Sequence, residues 1–255
     1  MTKKVSAIKI LKKKYSQYDN ERLKAFFVCK NVKIGDELVT DPQMKVNADF
    51  DAQLIFPKYV SRGGFKLEHA LKEFKLNVNG LVMLDAGSST GGFTDCLLQN
   101  GASMVHSVDV GYNQLSYSLR SNSNVVVHER QNIMGVEALL PEADAGTADL
   151  SFRSIKGAAS HILSLCKEDW MVALIKPQFE VSRWQLDFNG VIEDEKLMLQ
   201  ILGQVWENLK NEKVNILDLV CSPIKGRKGN TEFLAHLSHS EGMSKDEMLE
   251  KVILR

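Results

Sequence analysis

Apolar residues recur at Val5, Ile8, Leu11 and Tyr15, the spacing of one helical face, and again at Leu23, Phe26 and Phe27 behind Asp19 or Asn20, either of which suits an N-cap. The period then changes. Val32-Lys33-Ile34 and Glu37-Leu38-Val39 flank Gly35-Asp36, a pair suited to positive backbone dihedrals, and predict a hairpin; a further extended piece ends at Gln53-Leu54-Ile55-Phe56. The stretch 57–64 holds a Pro, two Gly and little periodicity, and reads as a connector. Beyond it, apolar runs alternate with amphipathic stretches. Strands are predicted near 81–86, 104–109, 125–128, 147–151, 170–176, 214–221 and 231–237, and helices near 65–75, 92–100, 113–119, 154–165 and 194–210. Such alternation predicts an α/β fold around a mostly parallel sheet of seven strands, covered on both faces. The stripe Leu197, Met198, Ile201, Leu202, Val205 and Leu209 is core packing, and Ser244 is placed to cap a short closing helix. The chain thus divides into a small α+β unit over 1–56, a connector over 57–64 and an α/β unit over 65–255.

Composition narrows the class. With 255 residues, 44% hydrophobic and 25% charged, and only 17 Gly, 5 Pro and 4 Cys, the chain can bury a proper core and is not disordered, collagenous or disulfide-built. Cys29, Cys96, Cys166 and Cys221 form no CxxC pair, which predicts reduced thiols in a cytoplasmic protein. The longest apolar run, Trp170 to Ile175, is far too short to span a bilayer. The zero net charge hides an asymmetry: through Lys58 there are 12 Lys and Arg against 7 Asp and Glu, and the remainder carries the balancing acidic excess. A solvated surface accounts for many lysine clusters; phosphate binding is the alternative.

The most informative stretch runs from Leu81-Val82-Met83-Leu84-Asp85-Ala86 into Gly87-Ser88-Ser89-Thr90-Gly91-Gly92-Phe93-Thr94, an apolar strand entering a small-residue turn that opens a helix. A nucleoside triphosphate loop needs Lys-Ser/Thr after Gly92, and Phe93 stands there instead. A dinucleotide loop needs a second Gly where Ser89 stands. S-adenosylmethionine fits better: Asp85 offers a carboxylate for its ammonium, and Gly87, Ser88, Ser89, Gly91, Gly92 and Phe93 line its approach. A second strand ends at Asp109-Val110, where a carboxylate suits two ribose hydroxyls, a reading preferred to that of a helix cap or surface acid. After a third strand, the amide of Asn132 suits an adenine edge, with a plain polar loop as the rival reading. Asp149 ends the next strand without the Pro-Pro of base-amine methylating enzymes, and Lys176 ends the one after; the rival for Lys176 is a lysine snorkelling at the surface. The six histidines show no metal-ligand spacing, and no metal is expected.

These segments are recognisable together. Tyr59-Val60-Ser61-Arg62-Gly63-Gly64-Phe65-Lys66-Leu67, the Asp85–Asp95 loop, Val108-Asp109-Val110-Gly111-Tyr112-Asn113-Gln114-Leu115, Ala148-Asp149-Leu150-Ser151-Phe152, Lys176-Pro177-Gln178-Phe179-Glu180 and Ser222-Pro223-Ile224-Lys225-Gly226-Arg227-Lys228-Gly229-Asn230-Thr231-Glu232 resemble the TlyA family, which joins an S4 domain to an FtsJ-like methyltransferase. The first 56 residues, with Val39-Thr40-Asp41-Pro42 and Lys45-Val46, resemble the S4 module, although its common Arg-Leu-Asp opening and the Gly before its hairpin are missing. The resemblance implies a Rossmann-like class I S-adenosylmethionine-dependent methyltransferase fold and 2′-O-methylation of ribosomal RNA, free or in a subunit, with no membrane partner. It implies a catalytic set of Lys66, Asp149, Lys176 and Glu232, with Asp149 also beside the cofactor. Lys176 is the expected base, since burial and a second cation favour loss of its proton while the two acids orient both lysines. RNA contacts are expected at Lys12, Lys13, Arg22, Lys24, Lys30, Lys33 and Arg62. Two rival classes are an RNA-binding protein whose methyltransferase fold is inactive, and a haemolysin, a label some of the family carry.

Overall fold

The computed structural model describes residues 4–151, 154–181, 190–226 and 228–253. Lys3, in the basic cluster, and Phe152 and Arg227, in the motifs above, lie outside the described residues. The chain forms two compact units that divide after Lys58.

In the first unit β1 (Lys4–Ser6) is followed by α1 (Ala7–Lys14), α2 (Asn20–Val28), β2 (Val32–Ile34), β3 (Glu37–Leu38), β4 (Lys45–Asn47) and β5 (Ala52–Leu54). Asp19 caps α2 by accepting the amide of Arg22 at 2.8 Å, so of the two expected caps it is the one used. Gly35, at φ +60°, closes the turn between β2 and β3, which with β5 make an antiparallel sheet. Val5, which the helical spacing put on α1, instead pairs with Val46 between β1 and β4. Leu11, Leu23, Phe27, Val32 and Ile34 close a core confined to this unit.

The second unit contains α3 (Gly63–Glu73), β6 (Val82–Ala86), α4 (Gly92–Gln99), β7 (Met104–Asp109), α5 (Tyr117–Arg120), β8 (Val125–Glu129), β9 (Ala145–Ala148), α6 (Ala158–Ser164), β10 (Met171–Ile175), α7 (Pro177–Glu180), α8 (Glu195–Asn211), β11 (Asn215–Cys221), β12 (Phe233–Ser238) and α9 (Lys245–Ile253). Its seven-stranded sheet has the order β11-β12-β10-β9-β6-β7-β8, and β12 runs antiparallel to both its neighbours. Side chains alternate between two cores, as the pleat requires. Met83, Val172 and Leu174 face α3 and α4, whereas Leu84, Ala173 and Ile175 join the core built by α6, α8 and α9. Helices therefore cover both faces, as the alternating pattern predicts.

Four boundaries depart from the periodicity. The expected connector is shorter, because Tyr59 is buried, Val60 donates its amide to Asp95 at 2.8 Å and α3 already begins at Gly63. The helix expected over 113–119 is cut to α5, since Asn113 adopts φ +56°, which no α-helix accommodates. β9 ends at Ala148 and β12 starts at Phe233, so Asp149 and Glu232 stand at the strand ends. One backbone bond still ties each to the sheet, Asp149 to Ala86 and Glu232 to Ser222.

Candidate active site

In the sheet order, β6 is the strand from which the chain goes first to one side, through β7 and β8, and later to the other, through β9 and β10. Loops leaving the carboxyl ends of β6 and β9 must diverge there and open a crevice, the usual ligand position in open α/β sheets. The chain builds that crevice from small residues. Gly87 has φ +84°, and a Cβ on it would lie 2.6 Å from the carbonyl oxygen of Asp149, so only glycine lets the two loops approach. A Cβ on Gly92 would lie 2.2 Å from the hydroxyl of Ser61 and 3.0 Å from the amide of Gly64, which brings the start of α4 against the start of α3.

The resulting cavity, of about 1040 Å³, is lined by Gly87, Ser88, Ser89, Gly92 and Phe93 from the glycine loop, Ser61, Arg62 and Lys66 from the start of α3, and Asp149, Ser151, Lys176, Gln178 and Phe179 beyond β9 and β10. Gly190, Gly226, Lys228, Asn230 and Glu232 complete it. All four residues of the expected catalytic set are thus brought together. Lys66 and Glu232 are both buried and form an ion pair of 2.5 Å. Lys176, also buried, pairs with Asp149 at 2.6 Å and donates to the carbonyl of Leu150 at 3.0 Å. Each ammonium therefore has its own carboxylate. Burial makes this pairing obligatory, because removing one partner strands a charge at a cost of roughly 3–5 kcal/mol.

The cofactor residues divide. Gly87, Ser88, Ser89, Gly92, Phe93 and Asp149 line the cavity; Asp85, Gly91, Asp109, Val110 and Asn132 do not. Asp85, at the strand end beside the glycine turn as expected, is fully enclosed, and it accepts hydrogen bonds from Thr94 Oγ1 at 2.6 Å and Thr147 Oγ1 at 3.3 Å. Burial pushes its pKa up to about 7, against the bond from Thr94 and helped by the charge of Asp149. Gly91, at φ +97°, packs against Leu119 and Leu115. Asp109 accepts the amides of Ser89 at 2.8 Å and Gly111 at 2.6 Å, so its carboxylate shapes the glycine loop directly. Val110 is exposed beside it, and Asn132 is an exposed cap whose Oδ1 accepts the amide of Met134.

Of the expected RNA contacts, Arg62 lies at the cavity. Lys12, Lys13, Arg22 and Lys30 are exposed on the first unit, with the Arg22 guanidinium 5.0 Å over the Tyr18 ring. Lys24 pairs with Glu21 and Lys33 with Asp36, so part of the positive charge is matched locally. Sequence reasoning missed Ser61, Gly226 and Asn230. Gly226 is required because a Cβ there would lie 2.5 Å from Glu232 Oε1. The one signal in the sequence was the density of Gly and Asn just before Glu232. Among the described residues, no cluster of three or more His, Cys, Asp or Glu side chains is arranged to hold a metal, and no helix is long and apolar enough to cross a membrane.

Comparison with known proteins agrees with this geometry. A family model described as FtsJ-like methyltransferase matches residues 59–239. A Bacillus subtilis protein named YqxC, a candidate rRNA methyltransferase, is 43% identical over 206 residues, covering 78% of this chain and 72% of its own. The 16S/23S rRNA (cytidine-2′-O)-methyltransferase TlyA of Mycobacterium tuberculosis is 40% identical over 182 residues, covering 70% of this chain and 68% of its own. A solved structure from Streptococcus thermophilus, named as a candidate hemolysin, superposes with a TM-score of 0.72 at 31% identity, covering 100% of this chain and 97% of that one.

Proposed function

The chain belongs to the FtsJ-like methyltransferase family, and on that premise we propose that it methylates a ribose 2′-hydroxyl of ribosomal RNA, using S-adenosylmethionine, with its basic first unit recruiting the RNA. When bound, S-adenosylmethionine supplies an electrophilic methyl group on a sulfonium centre. The cavity wall suits such a molecule, because the glycine loop presents backbone and small side chains rather than bulk. Behind that loop, outside the cavity wall, Asp109 holds the Ser89 amide and keeps a further lone pair on each oxygen for ribose hydroxyls.

The observation that carries the reading is the pair of lysine–carboxylate ion pairs beside that loop. A ribose hydroxyl is a weak nucleophile, so its proton must leave as the new bond forms. In this reading Lys176 reacts as the free amine, having first lost its ammonium proton to solvent; it takes the hydroxyl proton as the methyl–sulfur bond breaks, and Asp149, 2.6 Å away, stabilises the ammonium that results. Lys66, locked by Glu232, is a fixed cation for the charge developing on the acceptor oxygen. Arg62 and Lys228 at the rim attract phosphate, and the basic surface of the first unit adds salt-dependent affinity.

Transfer of labelled methyl from S-adenosylmethionine to rRNA, with mapping of ribose 2′-O-methylation, tests the reading. Lys176→Ala should cut transfer by about 10²–10⁴-fold, the usual contribution of a positioned base, while cofactor affinity holds. Lys176→Arg should fail too, because a guanidinium keeps the charge without exchanging protons. Near-normal turnover by the Arg variant would remove Lys176 as the base.

A further inference from the structure

Asp149 follows the last residue of β9 and Glu232 precedes the first of β12. The sheet holds each by one backbone bond, the Asp149 amide donating to the Ala86 carbonyl at 2.9 Å and the Glu232 carbonyl accepting the Ser222 amide at 2.9 Å. Among the described residues, the loop on the far side of each carboxylate has no strand partner and must be fixed by other contacts. Two polar side chains supply such contacts.

Glu180, at the end of α7, lies outside the cavity wall. Its carboxylate reaches back to the segment that follows β9, accepting the amide of Ile155 at 2.9 Å and the hydroxyl of Ser154. On the same two segments, Lys176 grips Asp149 and the carbonyl of Leu150. The two strand exits are thus stitched on both sides of the acceptor wall. Burial pushes the Glu180 carboxyl pKa up, so holding an acid here has an energetic cost, and the two hydrogen bonds offset it.

Asn230 is buried, and its carboxamide is spent on backbone. Oδ1 accepts the amide of Ile192 at 2.9 Å, and Nδ2 donates to the carbonyl of Gly190 at 2.7 Å. The amide thus bonds residues i and i+2 as a neighbouring strand would. Its own carbonyl accepts the amide of Gly226 at 2.8 Å, closing the turn whose glycine packs against the Glu232 carboxylate.

We infer that Glu180 and Asn230 are positioning residues for methyl transfer, Glu180 fixing the Asp149–Lys176 pair and Asn230 the turn that holds Glu232 on Lys66. The inference rests on the reading that these ion pairs carry out the chemistry. Neither residue needs to touch the reacting atoms: a displacement of about 1 Å at a catalytic group is enough to cost on the order of 100-fold in rate.

The test uses full-length protein, rRNA and S-adenosylmethionine under single-turnover conditions. Glu180→Ala and Asn230→Ala should each slow transfer by on the order of 100-fold, with KM for RNA and cofactor affinity unchanged; the melting temperature falls because buried backbone groups lose their partners, so rates are compared well below it. Glu180→Gln, which keeps an acceptor for Ile155, should recover most of the rate. Asn230→Asp, which accepts from Ile192 but repels the Gly190 carbonyl, should not. Combined variants locate the effect: Glu180→Ala should cost little more in an Asp149→Ala background yet add fully to Glu232→Ala, and Asn230→Ala should show the reverse pattern. Wild-type rates in both alanine variants, a matching loss of cofactor affinity, or additivity with both carboxylate variants would overturn the inference. If Lys176→Ala, run alongside, transfers methyl at full rate, the catalytic assignment of the ion pairs fails and the inference goes with it.

Discussion

Asp85→Asn offers a quantitative test of how the glycine loop is supported. The Asp85 carboxyl is fully enclosed, and its pKa rises from the 3.8 of an unfolded chain to about 7. A folded-state pKa above the unfolded one means stability that is complete below about pH 4 and is lost as pH climbs through 7. At about 1.4 kcal/mol per unit, a rise of roughly 3 units makes the loss on the order of 4 kcal/mol. Asparagine is neutral throughout and keeps an oxygen for Thr94 Oγ1. The Thr94 hydroxyl is also bonded to Ser107 and that of Thr147 to the Leu84 carbonyl, so the network has alternatives into which it can rotate. Urea unfolding of both proteins, measured from about pH 5 to pH 8, isolates the term because titrations that do not interact with Asp85 cancel in the difference, leaving only the charge of Asp149 coupled to it. The variant should gain on the wild type steadily up to about pH 7 and then level off. A difference that stays flat or falls with pH would show that Asp85 is ionised in the folded protein and that burial does not dominate its environment.

Three further outcomes are expected. Asp109→Ala releases the amides of Ser89 and Gly111, and calorimetry should show S-adenosylmethionine binding weakened by about 1–3 kcal/mol; unchanged affinity would detach Asp109 from the cofactor site. Deleting residues 1–58, whose core is separate, should leave the second unit folded and able to bind cofactor while removing most salt-dependent rRNA affinity in filter binding. Full activity of the truncated chain at physiological salt contradicts a recruiting role. Gly226→Ala puts a methyl group 2.5 Å from Glu232 Oε1 and should lower both turnover and the melting temperature as the carboxylate is pushed off Lys66, whereas a wild-type rate would mean that the turn yields freely.

The sequence by itself determined the alternation of strands and helices, the glycine loop after β6, and Asp149 and Lys176, because each leaves a local mark: a period, a run of small residues, or a charge at the end of an apolar run. Lys66 and Glu232 leave none and entered only through the family resemblance. The sequence also separated the basic first unit, since charge adds up without knowledge of contacts. Tertiary structure alone decided which partners those charges take. Lys66 and Glu232 are 166 positions apart and meet only because α3 and the start of β12 converge on one crevice. The same reason explains what the sequence left open. No local pattern shows that Thr94 and Thr147 pack over Asp85 and enclose its carboxylate. Val5 follows a helical period, yet it pairs with Val46, a strand partner that no local window contains. Glu180 and Asn230 fall inside recognisable motifs, but nothing in the chain shows their roles, because their partners include backbone amides and carbonyls, which only the fold brings within reach.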